Sequence, residues 1–219
     1  MKQLNWYVRP AKIEKIAKFI NDDMHFILDI GCGNASPSVT KRWIPNSVYH
    51  GVDIQNYNLS DEEFLLIDKF WLVTENFDGY DAIPNEYYDV VILNHVIEHI
   101  RYPERLLDIV SQKIKTGGIL YLAFPSNESL SLPSAVGTLN FSDDETHVWF
   151  PDLNFLVNYL LHNRYKVLGA GRSRNTTRFF IGCLIFLPLY IVKAMTGKLY
   201  AKGLHYFYNF ESYVLAKKY

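Results

Sequence analysis

Asp29, Gly31 and Gly33 stand within one short stretch, Ile27 to Ser36 (ILDIGCGNAS), whose residue types suit a charged ligand. Phe26 to Ile30 reads as a buried strand, and the glycines form the turn at its end. A glycine-spaced turn lets the backbone come close to a bound molecule. Asp29 occupies a strand position where an apolar residue is the default. Its carboxylate can accept hydrogen bonds from an ammonium group, which fits a ligand with an amino-acid moiety better than one with a pyrophosphate. A dinucleotide fingerprint needs a third glycine, and Ser36 stands in its place.

Further along, Asp53 closes the apolar run Ser47 to Ile54 (SVYHGVDI), 22 residues after Gly31. At that separation an acid at a strand end meets ribose hydroxyls. His95, Glu98 and His99 share one helix face at i, i+3 and i+4. Their order differs from the zinc-protease motif H-E-x-x-H, and no third ligand cluster is evident, so no metal is expected.

The elements that must position these residues alternate. Pro10 suits the first turn of a helix, followed by Ile13, Ile16, Ala17 and Ile20 at helical spacing. Strands are expected at 26–30, 47–54 and 70–74, with a polar helix-like stretch at 60–69 between the last two. Tyr87 to Leu93 (YYDVVIL) and Ile119 to Phe124 (ILYLAF) are near-continuous apolar runs of the kind that buried parallel strands show. Pro103 opens a helix between them, and Lys115 to Gly118 reads as a turn. After a polar segment, Pro151-Asp152 starts another helix, Tyr165 to Gly169 is strand-like, and a last strand spans 207–217. Such alternation means a parallel α/β sheet. The 219 residues fit a single domain, 1–219, and Cys32 and Cys183 do not make a disulfide framework. Charges within Met1 to Ala17 argue against a secretory signal, so a cytoplasmic protein is expected.

Four stations now stand in order: LDIGCG at 28–33, GVDI at 51–54, YYDVVILNHVIEHI at 87–100 and KTGGILYLAFPS at 115–126. Together they resemble the S-adenosylmethionine-dependent methyltransferases with a Rossmann-like fold, in particular the small-molecule group whose fourth strand runs into a His-Val-(Leu/Ile)-Glu-His segment. The resemblance implies a seven-stranded, mostly parallel sheet with helices on both faces, and S-adenosylmethionine as cofactor. It assigns Asp29, Gly31 and Gly33 to the methionine end and Asp53 to the ribose hydroxyls. Asp78 and Asp81, before Ile83-Pro84, are both candidates for the adenine, and spacing does not choose between them. Asn94 and His95 are expected to border the site of methyl transfer. Catalysis there rests mainly on proximity and orientation, with a general base added if the nucleophile is a hydroxyl. His95 and His147 are the candidates for that base. The alternative from another class is a non-catalytic cofactor- or lipid-binding protein on the same fold.

The charge is divided unevenly. Residues 1–152 carry 12 Lys+Arg against 22 Asp+Glu, a net of −10, whereas residues 153–219 carry 10 against one, a net of +9. Within the basic part, Phe179 to Val192 (FFIGCLIFLPLYIV) holds 14 residues without a charge, short of the about 20 that a spanning helix needs. Residues 173–204 therefore read as an insertion between the last two strands. An apolar element in a basic frame suits an anionic membrane surface, hence a peripheral position on the inner membrane face and a lipid- or sugar-linked acceptor. Packing on the domain or in a homodimer interface is the competing expectation. A nucleic-acid acceptor is disfavoured, because a long bare apolar run serves no such purpose.

Overall fold

The computed structural model describes residues 9–20, 23–33, 35–56, 59–132, 140–173 and 211–219, with seven further positions between 180 and 195. In chain order the elements are α1 (Ala11–Ile16), β1 (His25–Ile30), α2 (Ser36–Trp43), β2 (Ser47–Asp53), α3 (Asp61–Phe64), β3 (Lys69–Leu72), β4 (Tyr88–Asn94), α4 (Pro103–Lys113), β5 (Ile114–Pro125), α5 (Leu153–His162), β6 (Tyr165–Arg172) and β7 (Glu211–Lys218). Short 3₁₀ turns occupy Tyr80–Ala82, Ile97–His99, Asn127–Ser131 and Phe141–Asp143.

The strands form one seven-stranded sheet in the order β3-β2-β1-β4-β5-β7-β6. All neighbours are parallel except those of β7, which runs antiparallel to both β5 and β6. The chain leaves β1 toward β2 on one side and returns to place β4 on the other. That reversal opens a crevice at the carboxyl ends of β1 and β4, where ligands of open α/β sheets bind.

Both faces of the sheet are covered, which is why its central strands β4 and β5 carry near-continuous apolar runs rather than alternating ones. Leu28, Ile30, Val91, Leu93, Leu120 and Leu122 point into a core with Leu106, Leu107 and Val110 of α4 and Leu156 and Leu160 of α5. Ile27, Val90, Ile92, Ile119 and Tyr121 point the other way, against Ile13 and Ile16 of α1. Asp29 falls on the α1 face, because side chains alternate along β1.

The observed elements differ from the expected ones in three places. Lys115 to Gly118 is strand rather than turn: β5 starts at Ile114, opposite Tyr88, and the register shifts before Val90 pairs with Ile119. Gly117 absorbs that irregularity at φ +83°, a conformation in which glycine carries no steric cost. The polar stretch 60–69 holds only the short α3, capped by the Ser60 side chain, which accepts from the Glu63 amide. The apolar stripe that reached Ile20 is helical only to Ile16.

Of the expected insertion 173–204, most lies outside the described residues, as do residues 207–210 of the expected last strand. Phe180, Leu184, Leu187, Pro188, Ile191, Val192 and Met195 are helical and exposed. No described helix is long and apolar enough to cross a membrane.

Candidate active site

The carboxyl ends of β1, β2 and β4 bring the candidate residues to one edge of the sheet. Ile30 pairs with Val52 on one side and with Leu93 on the other, so the turn after β1 lies between Asp53 and Asn94. Gly31 has φ +69°, and a Cβ built on it would stand 2.4 Å from Cγ2 of Val96. The glycine turn and the segment after β4 are therefore in direct contact. Gly31→Ala is expected to lower stability by about 1–3 kcal/mol through overpacking and left-handed strain. A thermal melt checks this, and an unchanged melting temperature would contradict the contact.

Asp29 is fully buried. Its Oδ2 accepts from the Tyr49 hydroxyl at 2.7 Å and from the Ser36 hydroxyl, with Lys12 Nζ 3.5 Å away. Lys12 also donates to Ser36 Oγ. The other oxygen, Oδ1, is buried and has no partner among the described residues. A buried carboxylate oxygen left in that state is costly, and an ammonium group satisfies it. Burial and the nearby Asp29 carboxylate push the Tyr49 hydroxyl well above its ordinary pKa, so it stays a donor. Ser36, which breaks the glycine fingerprint, serves here as a ligand of Asp29.

Asp53 ends β2, half-buried. Its Oδ1 accepts from the Ile54 amide at 2.8 Å, and the amides of Gln55 and Gly33 also donate to the carboxylate. Burial raises its pKa, and those amides oppose the rise. The bond from Gly33 ties the glycine turn to the strand-two acid. An unpaired buried oxygen of the Asp29 carboxylate, a glycine no other residue replaces without a clash, and a second carboxylate one strand away fit the methionine and ribose parts of S-adenosylmethionine.

Asp78 and Asp81 are both exposed. The Asp78 carboxylate accepts from the Thr74 hydroxyl at 2.7 Å, and its amide donates back to the same hydroxyl. Asp81 lies in the 3₁₀ turn Tyr80–Ala82. The geometry leaves the adenine assignment open between them.

Asn94 is half-buried at the end of β4, opposite Ala123. His95 follows in the left-handed region, at φ +57°, which for a non-glycine residue persists only where surroundings enforce it. They do: its amide donates to the Ala123 carbonyl at 2.9 Å. Its Nδ1 lies 3.1 Å from Glu98 Oε1, and its Nε2 3.1 Å from Glu211 Oε2. Carboxylates only accept, so both ring nitrogens donate and the ring carries a proton on each. Burial opposes that charge, but the hydrogen bonds His95 donates to Glu211 and Glu98 outweigh it and raise its pKa to about 10. In the sequence Glu211 stands out only as the one acid among residues 153–219, with no sign of a place in the site.

His147 comes from a distant segment to meet this turn. The Val148 amide donates to the Glu98 carbonyl at 3.0 Å, and Trp149 Nε1 to the Ile97 carbonyl at 2.7 Å. These two bonds seat the His147 ring 4.8 Å from that of His99, with Phe141 stacked on its outer side at 4.3 Å. His147 Nδ1 lies 2.7 Å from the Phe141 carbonyl. A carbonyl can only accept, so Nδ1 carries the hydrogen and the Nε2 lone pair is directed elsewhere.

A family model described as "Methyltransferase domain" matches residues 6–168. The chain belongs to the S-adenosylmethionine-dependent methyltransferases. Two curated relatives match part of the chain. The uncharacterized protein MJ0906 of Methanocaldococcus jannaschii is 32% identical over 107 residues, 47% of this chain and 29% of that protein. A mitochondrial ubiquinone biosynthesis O-methyltransferase of Candida albicans is 28% identical over 123 residues, 52% of this chain and 36% of that protein. The chain thus spans about a third of the length of the curated relatives it matches. Among solved structures, a SAM-dependent methyltransferase from Archaeoglobus fulgidus superposes with a TM-score of 0.60 at 16% identity, covering 95% of this chain and 92% of that one. The seven-stranded, mostly parallel sheet is consistent with the Rossmann-like methyltransferase fold.

Proposed function

We propose that this methyltransferase moves the methyl group of S-adenosylmethionine to a hydroxyl oxygen of a small or lipid- or sugar-linked acceptor. In that step the hydroxyl oxygen attacks the methyl carbon, the carbon–sulfur bond breaks in line, and its electron pair stays on sulfur as S-adenosylhomocysteine forms. The hydroxyl proton must leave, and His147 Nε2 is the base that takes it. The observation that carries the oxygen reading is the fixed tautomer of His147, whose Nδ1–H is tied to the Phe141 carbonyl. The O-methyltransferase named among the relatives adds to it.

His95 holds a different role. With both ring nitrogens donating to carboxylates, it has no lone pair for a proton and positions the turn after β4. Asp29, Gly31 and Gly33 bind the methionine moiety, Asp53 the ribose, Asp78 or Asp81 the adenine, and Asn94 the border between cofactor and acceptor. The test is S-adenosylhomocysteine release in the presence of hydroxylated amphiphiles. Acceptor-dependent release with a methyl ether as product supports the reading. Methylation only of amines or thiols overturns it.

The acceptor's character follows from the segment after β6. Leu184, Leu187, Ile191 and Met195 are helical and between 53% and 83% exposed, and lysines and arginines flank the run. Apolar side chains framed by basic ones suit an anionic bilayer surface, from which a lipid-linked hydroxyl would reach the site. In a flotation assay the protein is expected to rise with anionic vesicles at low salt and to stay below with neutral ones. Protein left unbound by anionic vesicles would contradict the membrane reading and favour packing between copies of the chain.

A further inference from the structure

The sequence offers His95, Glu98 and His99 in one turn but no evident ligand from elsewhere in the chain to complete a metal site. In the fold, His147 supplies it. Glu98, His99 and His147 each present one ligand atom, and these atoms lie within 4.8 Å of one another. We infer that the three residues bind a first-row divalent cation of the zinc or manganese type on the acceptor side of the site.

Three features of the cluster point to a cation rather than to a hydrogen-bonded patch. The first is the pair of tautomers. His99 Nδ1 lies 2.9 Å from Thr146 Oγ1 and 3.3 Å from the Thr146 carbonyl. That hydroxyl spends its own hydrogen on Asp144 Oδ1, so His99 Nδ1 donates, as His147 Nδ1 does to Phe141. Metal-binding imidazoles show this arrangement, one nitrogen fixed by an acceptor and the other left for the ion.

The second feature is Glu98, which is fully buried. One oxygen is engaged by His95; Oε2 is buried and has no partner among the described residues. An unpartnered buried carboxylate oxygen is costly, and a cation beside two imidazole lone pairs removes that cost. The third is support. The Val148–Glu98 and Trp149–Ile97 bonds hold the two segments together, and Asp144 Oδ2 lies 3.8 Å from His147 Nε2, adding negative charge at the rim.

The dimensions require some closure. Ligands at about 2.1 Å from a tetrahedral ion sit roughly 3.4 Å apart, so binding draws the group in by about 1 Å, within reach of side-chain rotation. Two imidazoles and one carboxylate form a donor set suited to zinc, iron or manganese and leave a coordination position open. An acceptor hydroxyl bound there would ionise more readily. In that state His147 Nε2 is a ligand, and the ion replaces it as the means of removing the proton. This use of the ion rests on the methyl-transfer reading; its binding does not.

The experiment titrates the tag-free full chain, first stripped with a chelator, with Zn²⁺ and Mn²⁺ by calorimetry, and repeats it on His99→Asn, His147→Asn and the control His162→Asn. One equivalent of either ion is expected to bind. The first two variants are expected to bind it more weakly by more than the roughly 10–100-fold typical of losing a group that merely orients a ligand, and the control to match wild type. S-adenosylmethionine affinity, measured in parallel, confirms that each variant is folded. No stoichiometric binding, or binding that His99→Asn and His147→Asn leave unchanged, would overturn the site. Ion binding without any methyl transfer would overturn the functional reading and leave the site standing.

Discussion

Asp29→Ala is expected to destabilise the protein by about 3–5 kcal/mol, the cost of removing one partner of a buried ion pair. Oδ2 collects the Tyr49 and Ser36 hydroxyls and the Lys12 ammonium, and Lys12 is itself only 9% exposed. Without the carboxylate, a charge and two hydroxyls stay buried with their acceptor gone. For a chain of this length each kcal/mol corresponds to about 2–4 °C in melting temperature, so a fall of about 10 °C is expected. Cofactor affinity is expected to fall as well, because the unpaired Oδ1 is lost with it. A variant that melts like wild type and binds the cofactor equally well would show that Asp29 neither anchors α1 nor meets the ligand.

His147→Ala is expected to reduce turnover by about 10²–10⁴-fold, the range over which a positioned base acts, with cofactor affinity unchanged. The separation follows from placement. His147 packs on the turn Ile97–His99 through Val148 and Trp149, whereas Asp29 and Asp53, the residues proposed to hold the cofactor, sit at the ends of β1 and β2. Steady-state rates and calorimetry on the same preparation check both halves. Unchanged turnover would make His147 a packing residue, and weakened cofactor binding would place it on the wrong side of the transferred methyl.

The sequence discloses what is local and little of what the fold brings together. An acid in an apolar strand beside two glycines announces a ligand at β1, and near-continuous apolar runs announce strands covered on both faces. The four ordered stations make the seven-stranded sheet legible in the sequence. The partners of the site residues were not, because they come from elsewhere in the chain. Lys12 of α1 and Tyr49 of β2 converge on Asp29 only once the side-chain alternation of β1 turns that carboxylate toward α1. Glu211 reaches His95 across 116 residues, since β7 runs antiparallel and delivers its first residue to the same sheet edge. With the Glu98 contact, it engages both ring nitrogens of His95, which is why the proposed mechanism uses His95 for positioning and His147 as the base. His99 and His147 are likewise joined by a loop with no periodicity to read. The misread turn at Lys115 to Gly118 has a simpler origin: two glycines look like a break, yet here they allow an irregular strand start. Ser36 marked a departure from the dinucleotide pattern; its hydrogen bond to Asp29 supplies a physical reason for that departure.

Calorimetric titration with S-adenosylmethionine, S-adenosylhomocysteine and NAD, on wild type and Asp53→Ala, tests the central claim most directly. Micromolar binding of the first two ligands and none of NAD is expected. In Asp53→Ala both affinities should fall by about 1–3 kcal/mol, as ribose hydroxyls and the Gly33 and Ile54 amides lose their acceptor. Binding of NAD, or S-adenosylmethionine affinity indifferent to Asp53, would contradict it.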